Sequence, residues 1–326
     1  MLMRILHTEP DAYSSESKKI IERVGSIDYC QCNSQVEFDK LITNAGYSVI
    51  FMKLGIYLGG KTLEKCSTLK YVVTPTTGHN HIDENEILKR GIKIISLRGE
   101  ADFLRNVYAT AEHTWGLLLS VIRFIPQSHN DVITGNWRRS VWKGNELSGQ
   151  TIGIIGYGRL GRMVAKYALS FDMNVVIYDV NKDILIEDDR IRIASTLEEL
   201  VEHSYVVSLH IPLNKETNRF FSKKMIYKMR QGSVLINTSR GELIDEDALL
   251  KSLKNNHLSA AALDVLNNDV CWSEKVQNYN PLIEYAKRHN NLVITPHIGG
   301  YTSASVRKTR DFVSKKLINF LQLDHE

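Results

Sequence analysis

Short apolar runs alternate with longer polar stretches along the first hundred residues of the chain. The apolar runs predict four β-strands, at Arg4–His7, Ser48–Met52, Tyr71–Val73 and Lys93–Ser96. The stretches between them predict helices at Ser15–Arg23, Gly60–Cys66 and Glu84–Arg90. Because strands that alternate with helices form a parallel sheet with helices on its faces, this part of the chain is predicted to be an α/β domain.

The same alternation continues through the rest of the chain. A long amphipathic segment, Leu104–Phe124, is followed by Pro126, which is expected to end it. Further strands are predicted at Ile152–Ile155, Val175–Tyr178, Val206–Leu209, Ser233–Ile236, Ala260–Leu263 and Leu292–Ile294. Thr302–Glu326 predicts a final helix. The sequence therefore predicts two doubly wound parallel-sheet domains.

A glycine-rich turn lies between two of these strands, with a helical segment after it. Its glycines are Gly156, Gly158 and Gly161, and Asp179 follows 18 residues after the last of them, near the usual spacing of about 20. Such a turn lets the backbone approach a pyrophosphate at the N-terminus of a helix. The carboxylate of Asp179 can accept both ribose hydroxyls and would repel a 2′-phosphate, which favours NAD over NADP. The alternative is a turn of Rossmann type whose ligand has been lost.

The position of this fingerprint predicts how the domains are arranged. It begins at residue 151, so an α/β unit precedes the cofactor domain. Because a dinucleotide fold needs about six strands, the NAD-binding Rossmann domain is predicted at residues 105–298. Residues 1–104 and 299–326 then form a flavodoxin-like substrate domain, into which the Rossmann domain is inserted.

Composition narrows the class of protein without identifying a ligand. The chain has 326 residues, 43% of them hydrophobic, and a net charge of only +4, which argues against nucleic acid and acidic membranes as partners. Four cysteines without zinc-like spacing favour a reducing compartment. No apolar run is long enough to span a membrane, and the first residues lack the apolar core of a signal peptide. The sequence therefore predicts a cytoplasmic protein.

Polar residues follow several predicted strands in the second half of the chain. Arg240, Asp264 and His297 each come at or just after a strand end, and Asp269 lies five residues beyond Asp264. Because ligands bind at the carboxyl ends of parallel strands, these side chains are expected to converge on the cofactor cleft. Taken singly, each of these residues could equally be a surface or loop residue. The sequence gives no comparable reason to assign a catalytic role to His79, His81, His113 or His129. His79 and His81 lie two residues apart, which is more often the spacing of a loop than of a metal site, so no metal site is predicted.

Six segments along the chain carry a family pattern. They are Gly156-Tyr-Gly-Arg-Leu-Gly161, Asn237-Thr-Ser-Arg-Gly241, Ala262-Leu-Asp-Val265, Thr295-Pro-His-Ile-Gly-Gly300, the loop Thr77–Asp83 and the helix that begins Ala111-Glu-His. On these segments the chain resembles the D-isomer-specific 2-hydroxyacid dehydrogenases, which include 3-phosphoglycerate, D-lactate, glycerate and formate dehydrogenases. The resemblance covers nearly the whole chain.

The resemblance implies a mechanism. NADH would pass a hydride to a 2-keto acid, His297 would exchange the proton, and Asp269 would pair with His297 and raise its pKa. Arg240 would grip the substrate carboxylate with its forked donors. Further substrate contacts are implied for the loop residues Thr77, Gly78, His79 and Asn80 and for Lys53.

The resemblance also implies NAD contacts and a homodimer. The cofactor contacts would come from Arg159, Leu160, His210, Pro212, Thr217, Thr238, Asp264 and Gly299, together with the fingerprint glycines and Asp179. The dimer contact would be supplied by the NAD-binding domain, and Trp137 is expected at a domain or subunit contact.

One departure from the family pattern bears on activity. Asp269 stands where the family usually has Glu, and the proline usual after that acid is missing, so Glu274 or Glu284 could instead be the partner of His297. A displacement of a catalytic group by about 1 Å can cost roughly a hundredfold in rate. Either loop movement restores the contact of Asp269 with His297, or the reaction is slowed or altered. The candidate substrates are 3-phosphoglycerate with 3-phosphohydroxypyruvate, glyoxylate, hydroxypyruvate and a sugar-derived keto acid. The rival hypothesis is a non-catalytic, NAD-sensing scaffold protein.

Overall fold

The computed structural model describes residues 3–181, 183–186, 188–269, 272, 275–276 and 279–323. The chain forms two compact units. The first unit contains Met1–Asn106, Asn268–Asn278 and Tyr301–Glu326, and the second contains Val107–Asn267 and Tyr279–Gly300. The first unit is therefore assembled from segments on both sides of the second.

The first unit is built on a five-stranded parallel sheet in the order β2-β1-β3-β4-β5. Its strands are β1 (Met3–His7), β2 (Gly25–Tyr29), β3 (Val49–Phe51), β4 (Tyr71–Val73) and β5 (Lys93–Ile95). Its helices are α1 (Ser15–Glu22), α2 (Gln35–Ile42), α3 (Gly60–Leu63), α4 (Glu84–Lys89), α5 (Ala101–Leu104) and, from the end of the chain, α13 (Ser303–Leu323). Side chains from the strands and helices share one buried core, which includes Phe38, Ile50, Leu63 and Val72.

Helix α13 packs against the first segment of the chain. The Arg310 guanidinium donates to Glu9 Oε2 from Nε at 3.1 Å, and both side chains are largely buried. The hydroxyl of Ser14, which also caps α1, donates to Asp311 at 2.7 Å. Burying either charge without the other is unfavourable, so Glu9 and Arg310 become buried only when both segments are in place.

The second unit is built on a seven-stranded parallel sheet in the order β12-β11-β10-β9-β6-β7-β8. Its strands are β6 (Thr151–Ile155), β7 (Asn174–Tyr178), β8 (Ile191–Ile193), β9 (Val206–Leu209), β10 (Ser233–Asn237), β11 (Leu258–Leu263) and β12 (Leu292–Ile294). Its helices are α6 (Ala109–Ile122), α7 (Ile125–Ile133), α8 (Arg159–Ser170), α9 (Leu197–His203), α10 (Lys223–Lys228), α11 (Glu246–Lys254) and α12 (Pro281–Ala286). The strand order reverses between β6 and β9, and such a switch point opens a crevice at the carboxyl ends of the strands. The predicted fold class, two doubly wound α/β units, is confirmed.

The sequence prediction missed elements at the sheet edges and misjudged one proline. Strands β2 and β8 are edge strands, and each has exposed or half-exposed residues in place of a continuous apolar run. Helix α6 ends at Ile122, before Pro126, which lies in the first turn of α7. The prediction that Pro126 ends a helix was therefore wrong, because the missing N–H of proline costs nothing at a helix start. Within the described part of the chain, no helix is long and apolar enough to cross a membrane.

Candidate active site

The glycine-rich turn connects β6 to α8 at the switch point of the second sheet. Gly156 has φ +93°, and a Cβ there would lie 2.6 Å from the carbonyl oxygen of His210. A Cβ on Gly161 would lie 2.1 Å from the carbonyl oxygen of Gly156. By contrast, a Cβ on Gly158 would meet no atom within 4 Å. Two glycines therefore allow the turn to close on itself, and the third faces open space where a ligand can approach.

Helix α8 begins directly at this turn. Gly158 is its N-cap, and Arg159 and Leu160 are its first residues. A glycine cap has no side chain to cover the N-terminal N–H groups, which carry partial positive charge and suit a phosphate. The Arg159 guanidinium turns away and donates to the carbonyl of Val107 at 2.7 Å, and burial lowers its pKa. The side chain of Arg159 is thus directed to Val107, while its backbone lies in the first turn of α8.

Asp179 follows β7 and contacts the same turn. Its Oδ2 accepts the backbone N–H of Tyr157 at 2.7 Å, and its Oδ1 accepts the N–H of Asn181 at 2.9 Å. The carboxylate therefore stands beside the glycine-rich turn, at the place where an adenosine ribose would lie in a Rossmann fold.

The predicted cofactor contacts after β9 and β10 make hydrogen bonds to other residues of the second unit. Burial lowers the pKa of His210 to about 4, and its Nε2 lies 2.9 Å from the Ser208 hydroxyl. Thr217 donates to the carbonyl of Pro212 at 2.7 Å. The hydroxyl of Thr238 is buried, and it lies 2.8 Å from the hydroxyl of Thr114 on α6. His210 is consequently a neutral side chain near neutral pH.

Asp264, at the end of β11, holds the segment that carries His297. Its Oδ1 accepts from the Thr295 hydroxyl at 2.6 Å and from the N–H of Ile298 at 2.9 Å, and its Oδ2 accepts from the N–H of Gly299 at 2.7 Å. The main-chain oxygen of Asp264 accepts from the N–H of His297 at 2.8 Å. Burial alone would raise the pKa of this carboxyl, but its hydrogen bonds outweigh burial and lower the pKa.

The backbone of His297 has φ +54°, in the left-handed region that a non-glycine residue rarely occupies. Such a conformation costs free energy and persists only where the surroundings enforce it. The hydrogen bonds from His297, Ile298 and Gly299 to Asp264 supply that enforcement.

One member of this cluster, His113 on α6, was missed by the sequence analysis. Its Nε2 lies 2.9 Å from the Thr295 hydroxyl and 3.2 Å from Asp264 Oδ1. The only sequence signal was its place in the Ala111-Glu-His motif, because a contact between residues 151 positions apart has no local pattern.

Arg240 follows β10 and begins a tight turn at Gly241. Its Nη1 donates to the carbonyl of Ser239 at 2.6 Å, and the Asn237 amide donates to its main-chain oxygen at 2.8 Å. A Cβ on Gly241 would lie 2.1 Å from the carbonyl carbon of Leu266, so this turn packs directly against the chain three residues before Asp269. Arg240 is half-buried and comes three residues after β10 ends at the carboxyl edge of the sheet.

The three predicted catalytic residues are divided between the two units. Arg240 and His297 belong to the second unit, and the partly buried Asp269 belongs to the first. Of the alternative acids, Glu284 on α12 pairs at 2.6 Å with Lys287, the residue after that helix, and Glu274 lies outside the described residues.

The predicted substrate loop lies in the first unit. Lys53 follows β3, and Thr77, Gly78, His79 and Asn80 follow the neighbouring strand β4, so both segments lie at the same edge of the sheet.

His79 in this loop is largely buried, and burial followed by the charge of Arg98 lowers its pKa. Arg98 pairs with Glu84 through two hydrogen bonds of 2.8 and 2.9 Å and donates to the carbonyl of Thr77 at 3.4 Å. Among the residues that the structure describes, no three His, Cys, Asp or Glu side chains are grouped to hold a metal ion.

Comparisons with known proteins point to one family. The family model described as D-isomer specific 2-hydroxyacid dehydrogenase, NAD binding domain, matches residues 115–299. A D-3-phosphoglycerate dehydrogenase of Methanocaldococcus jannaschii is 30% identical over 323 residues, covering 98% of this chain and 58% of that protein. A glyoxylate reductase of Thermofilum pendens is 33% identical over 271 residues, covering 81% of this chain and 76% of that protein.

A solved structure extends the similarity to both units. A D-lactate dehydrogenase of Aquifex aeolicus, complexed with NAD and lactic acid, has a TM-score of 0.83 and 27% identity, and the match covers 98% of this chain and 96% of that chain. The chain spans about half the length of the phosphoglycerate dehydrogenases it matches, 58% and 46% for two of them. The predicted cofactor, NAD, is confirmed.

Proposed function

Because the chain belongs to the D-isomer-specific 2-hydroxyacid dehydrogenase family, we propose that it interconverts a D-2-hydroxy acid and its 2-keto acid with NAD. The observation that carries the proposal is the pair of features at the carboxyl edge of the second sheet. One is the glycine-rich turn with Asp179, which suits NAD. The other is the His297 segment, which Asp264 holds in a left-handed conformation.

The roles proposed for the site residues follow from their chemistry. When bound, NADH supplies the hydride that reduces the carbonyl carbon. His297 gives a proton to the carbonyl oxygen as it becomes an alcohol, and takes it back in the reverse direction. Arg240 holds the substrate carboxylate through two parallel N–H donors. Asp269 pairs with His297 and favours its protonated form.

The residues proposed to hold NAD lie on the second unit, and the substrate contacts proposed in addition to Arg240 lie on the first. NAD would contact Gly156, Gly158, Arg159, Leu160, Gly161, Asp179, His210, Pro212, Thr217, Thr238, Asp264 and Gly299. The substrate would contact Lys53, Thr77, Gly78, His79 and Asn80. We propose residues 105–298 as the NAD-binding domain and residues 1–104 plus 299–326 as the substrate domain. The two compact units support this division, with Asn268–Asn278 as an added part of the first unit.

The substrate is proposed at the level of class. Relatives named D-3-phosphoglycerate dehydrogenase and glyoxylate reductase match the chain at similar identity, 30% and 33%. We propose D-3-phosphoglycerate with 3-phosphohydroxypyruvate as the first pair to test, and glyoxylate or hydroxypyruvate as the alternative.

The test is the loss of NADH absorbance with glyoxylate, pyruvate, hydroxypyruvate, 3-phosphohydroxypyruvate and a bulky branched keto acid, with NADPH in parallel. Turnover of one acid with preference for NADH supports the proposal and names the substrate. No turnover of any acid, together with tight NADH binding, contradicts it.

One observation favours a second function, a non-catalytic NAD-binding scaffold. Asp269 carries a carboxylate one methylene shorter than the Glu usual in the family. The substitution His297→Ala separates the two functions. A dehydrogenase should lose turnover and keep NADH affinity, whereas a scaffold has no turnover to lose.

We further propose a cytoplasmic homodimer, formed through the second unit. Helix α7 and the segment after it expose Ile133, Trp137 and Val141, and Trp137 is 85% exposed. Asp131 accepts hydrogen bonds from Arg138 and from Trp142, which stiffens this segment. Exposed apolar side chains on an ordered segment are typical of a subunit contact. Trp137→Ser should shift the mass measured by light scattering from dimer to monomer, and an unchanged dimer would contradict this contact.

A further inference from the structure

His113 links helix α6 to both groups that hold the His297 segment. Its Nε2 lies 2.9 Å from the hydroxyl of Thr295 and 3.2 Å from Oδ1 of Asp264. The Asp264 side chain is 2% exposed and that of His113 is 22% exposed. Hydrogen bonds between buried groups stabilise the folded protein more than hydrogen bonds on the surface do, and a buried group that loses its partner destabilises the fold.

The contacts fix the proton positions in this cluster. An ionised Asp264 can only accept hydrogen bonds. The Thr295 hydroxyl has one proton, which it donates to Asp264 at 2.6 Å. The Thr295 oxygen must then accept from His113, so Nε2 of His113 carries a proton and bridges both acceptors. His113 thereby sets the rotation of the Thr295 hydroxyl and the orientation of the Asp264 carboxylate.

The cluster also lies close in sequence to both points where the chain passes between the units. The first passage is at Asn106–Val107, just before α6, and the second is at Gly300–Tyr301, just after the His297 segment. A Cβ on Gly299 would lie 2.8 Å from Asp264 Oδ2 and 3.5 Å from the His113 ring, so any side chain at this position would press against Asp264. Residues near the two passages are thus tied together through His113 and Asp264.

We propose that His113 is a positioning residue for the reaction. Through Thr295 and Asp264 it fixes the backbone that presents His297, and it ties that backbone to the start of α6. The inference rests on the proposed dehydrogenase function, in which His297 exchanges the proton.

The kinetic test compares two substitutions with a matched control. His113→Leu keeps the bulk of the side chain and removes the donor, whereas His113→Gln offers an N–H at a similar reach to Nε2. His203→Leu changes an exposed histidine on α9 in the same unit. We expect kcat for 2-keto acid reduction to fall about tenfold to a hundredfold in His113→Leu, with KM for NADH changed less than about threefold. His113→Gln should recover most of the loss, and His203→Leu should match the parent.

A second measurement does not depend on turnover. Hydrogen exchange of the Ile298 and Gly299 amides, which Asp264 protects, should be about tenfold faster in His113→Leu than in the parent or in His203→Leu. In a Thr295→Val background, His113→Leu should have a smaller further effect than in the parent, because one of the two acceptors of His113 is already gone and only Asp264 remains.

Unchanged exchange of these two amides in His113→Leu overturns the inference, and so does an unchanged kcat in an active enzyme. A parent without turnover refutes the dehydrogenase proposal and with it the role of His113 in the reaction. The exchange data then still decide whether His113 holds the segment.

Discussion

Replacing Asp264 with asparagine should destabilise the second unit and disturb the His297 segment at the same time. Asparagine has the shape of aspartate but only one acceptor oxygen, and its amide group is a donor. In one orientation the amide faces the N–H of Gly299, and in the other it faces the N–H of Ile298 and the Thr295 hydroxyl. Either way, two donors meet in a place from which water is excluded.

The size of the effect follows from the hydrogen bonds lost. A hydrogen bond to a charged acceptor contributes about 1.5–3 kcal/mol, and a buried donor left unsatisfied costs about 1–3 kcal/mol. We therefore expect Asp264→Asn to lower the free energy of unfolding by about 3 kcal/mol, measured by urea unfolding followed by circular dichroism. Asp247→Asn, at an exposed acid in the first turn of α11, is the control with the same change in charge.

The effect should also depend on pH with a defined sign. The pKa of Asp264 is lowered in the folded protein, so the carboxylate stabilises the fold above its unfolded pKa, and this contribution is lost as the pH falls through its folded pKa. The difference between parent and Asp264→Asn should thus be largest near neutral pH and shrink below about pH 4. A loss under about 1 kcal/mol at neutral pH, or one equal to that of Asp247→Asn, would refute the reasoning.

Three further predictions concern the glycine-rich turn, cofactor choice and acid stability. Gly161→Ala should lower both stability and NADH affinity, because its Cβ would collide with the Gly156 carbonyl oxygen at 2.1 Å. Gly158→Ala has open space and should weaken NADH binding alone. Thermal melts and fluorescence titration separate these two variants, and equal melting losses would contradict the geometry. Asp179→Ser should raise the NADPH-to-NADH ratio of kcat/KM about tenfold or more, since it removes the charge that repels a 2′-phosphate, and an unchanged ratio would count against that role. Burial lowers the pKa of His7 to about 3 in the folded protein. As the pH falls below about 6.5, the unfolded state therefore takes up a proton at His7 before the folded state does. At pH 5 this histidine alone should lower the free energy of unfolding by about 2 kcal/mol relative to pH 8. His7→Phe keeps the aromatic stacking on Phe51 and should flatten that pH dependence, which unfolding at the two pH values would reveal.

The sequence predicted the parts of the fold in which local pattern and burial coincide. Interior strands such as β9 and β10 are buried throughout, so their apolar runs are continuous. The edge strands β2 and β8 face solvent on one side, and their mixed residues gave no clear run. Pro126 was misjudged because a proline ends one helix or begins the next according to a backbone conformation that the sequence does not display.

The same distinction applies to the candidate site. The glycines and Asp179 were predicted because their spacing is local to one strand–turn–helix–strand unit. The hydrogen bonds of Asp264 were not, since its partners come from the segment after β12 and from α6, and only the folded sheet brings these together. Asp264 was predicted as a cofactor contact alone, and the structure adds its hold on the His297 segment.

The packing of α13 against the first segment of the chain has a consequence for synthesis on the ribosome. The second unit needs nothing beyond Gly300, so its sheet can close before α13 has left the exit tunnel. The first unit is still incomplete at that stage, because Glu9 lacks its partner Arg310 and Ser14 lacks its partner Asp311 until α13 has emerged. Since chains emerge at about 5–20 residues per second, the first strands remain without α13 during translation of the whole second unit. A released chain that ends at Gly300 should therefore present a protease-resistant second unit and an N-terminal segment that is still digested.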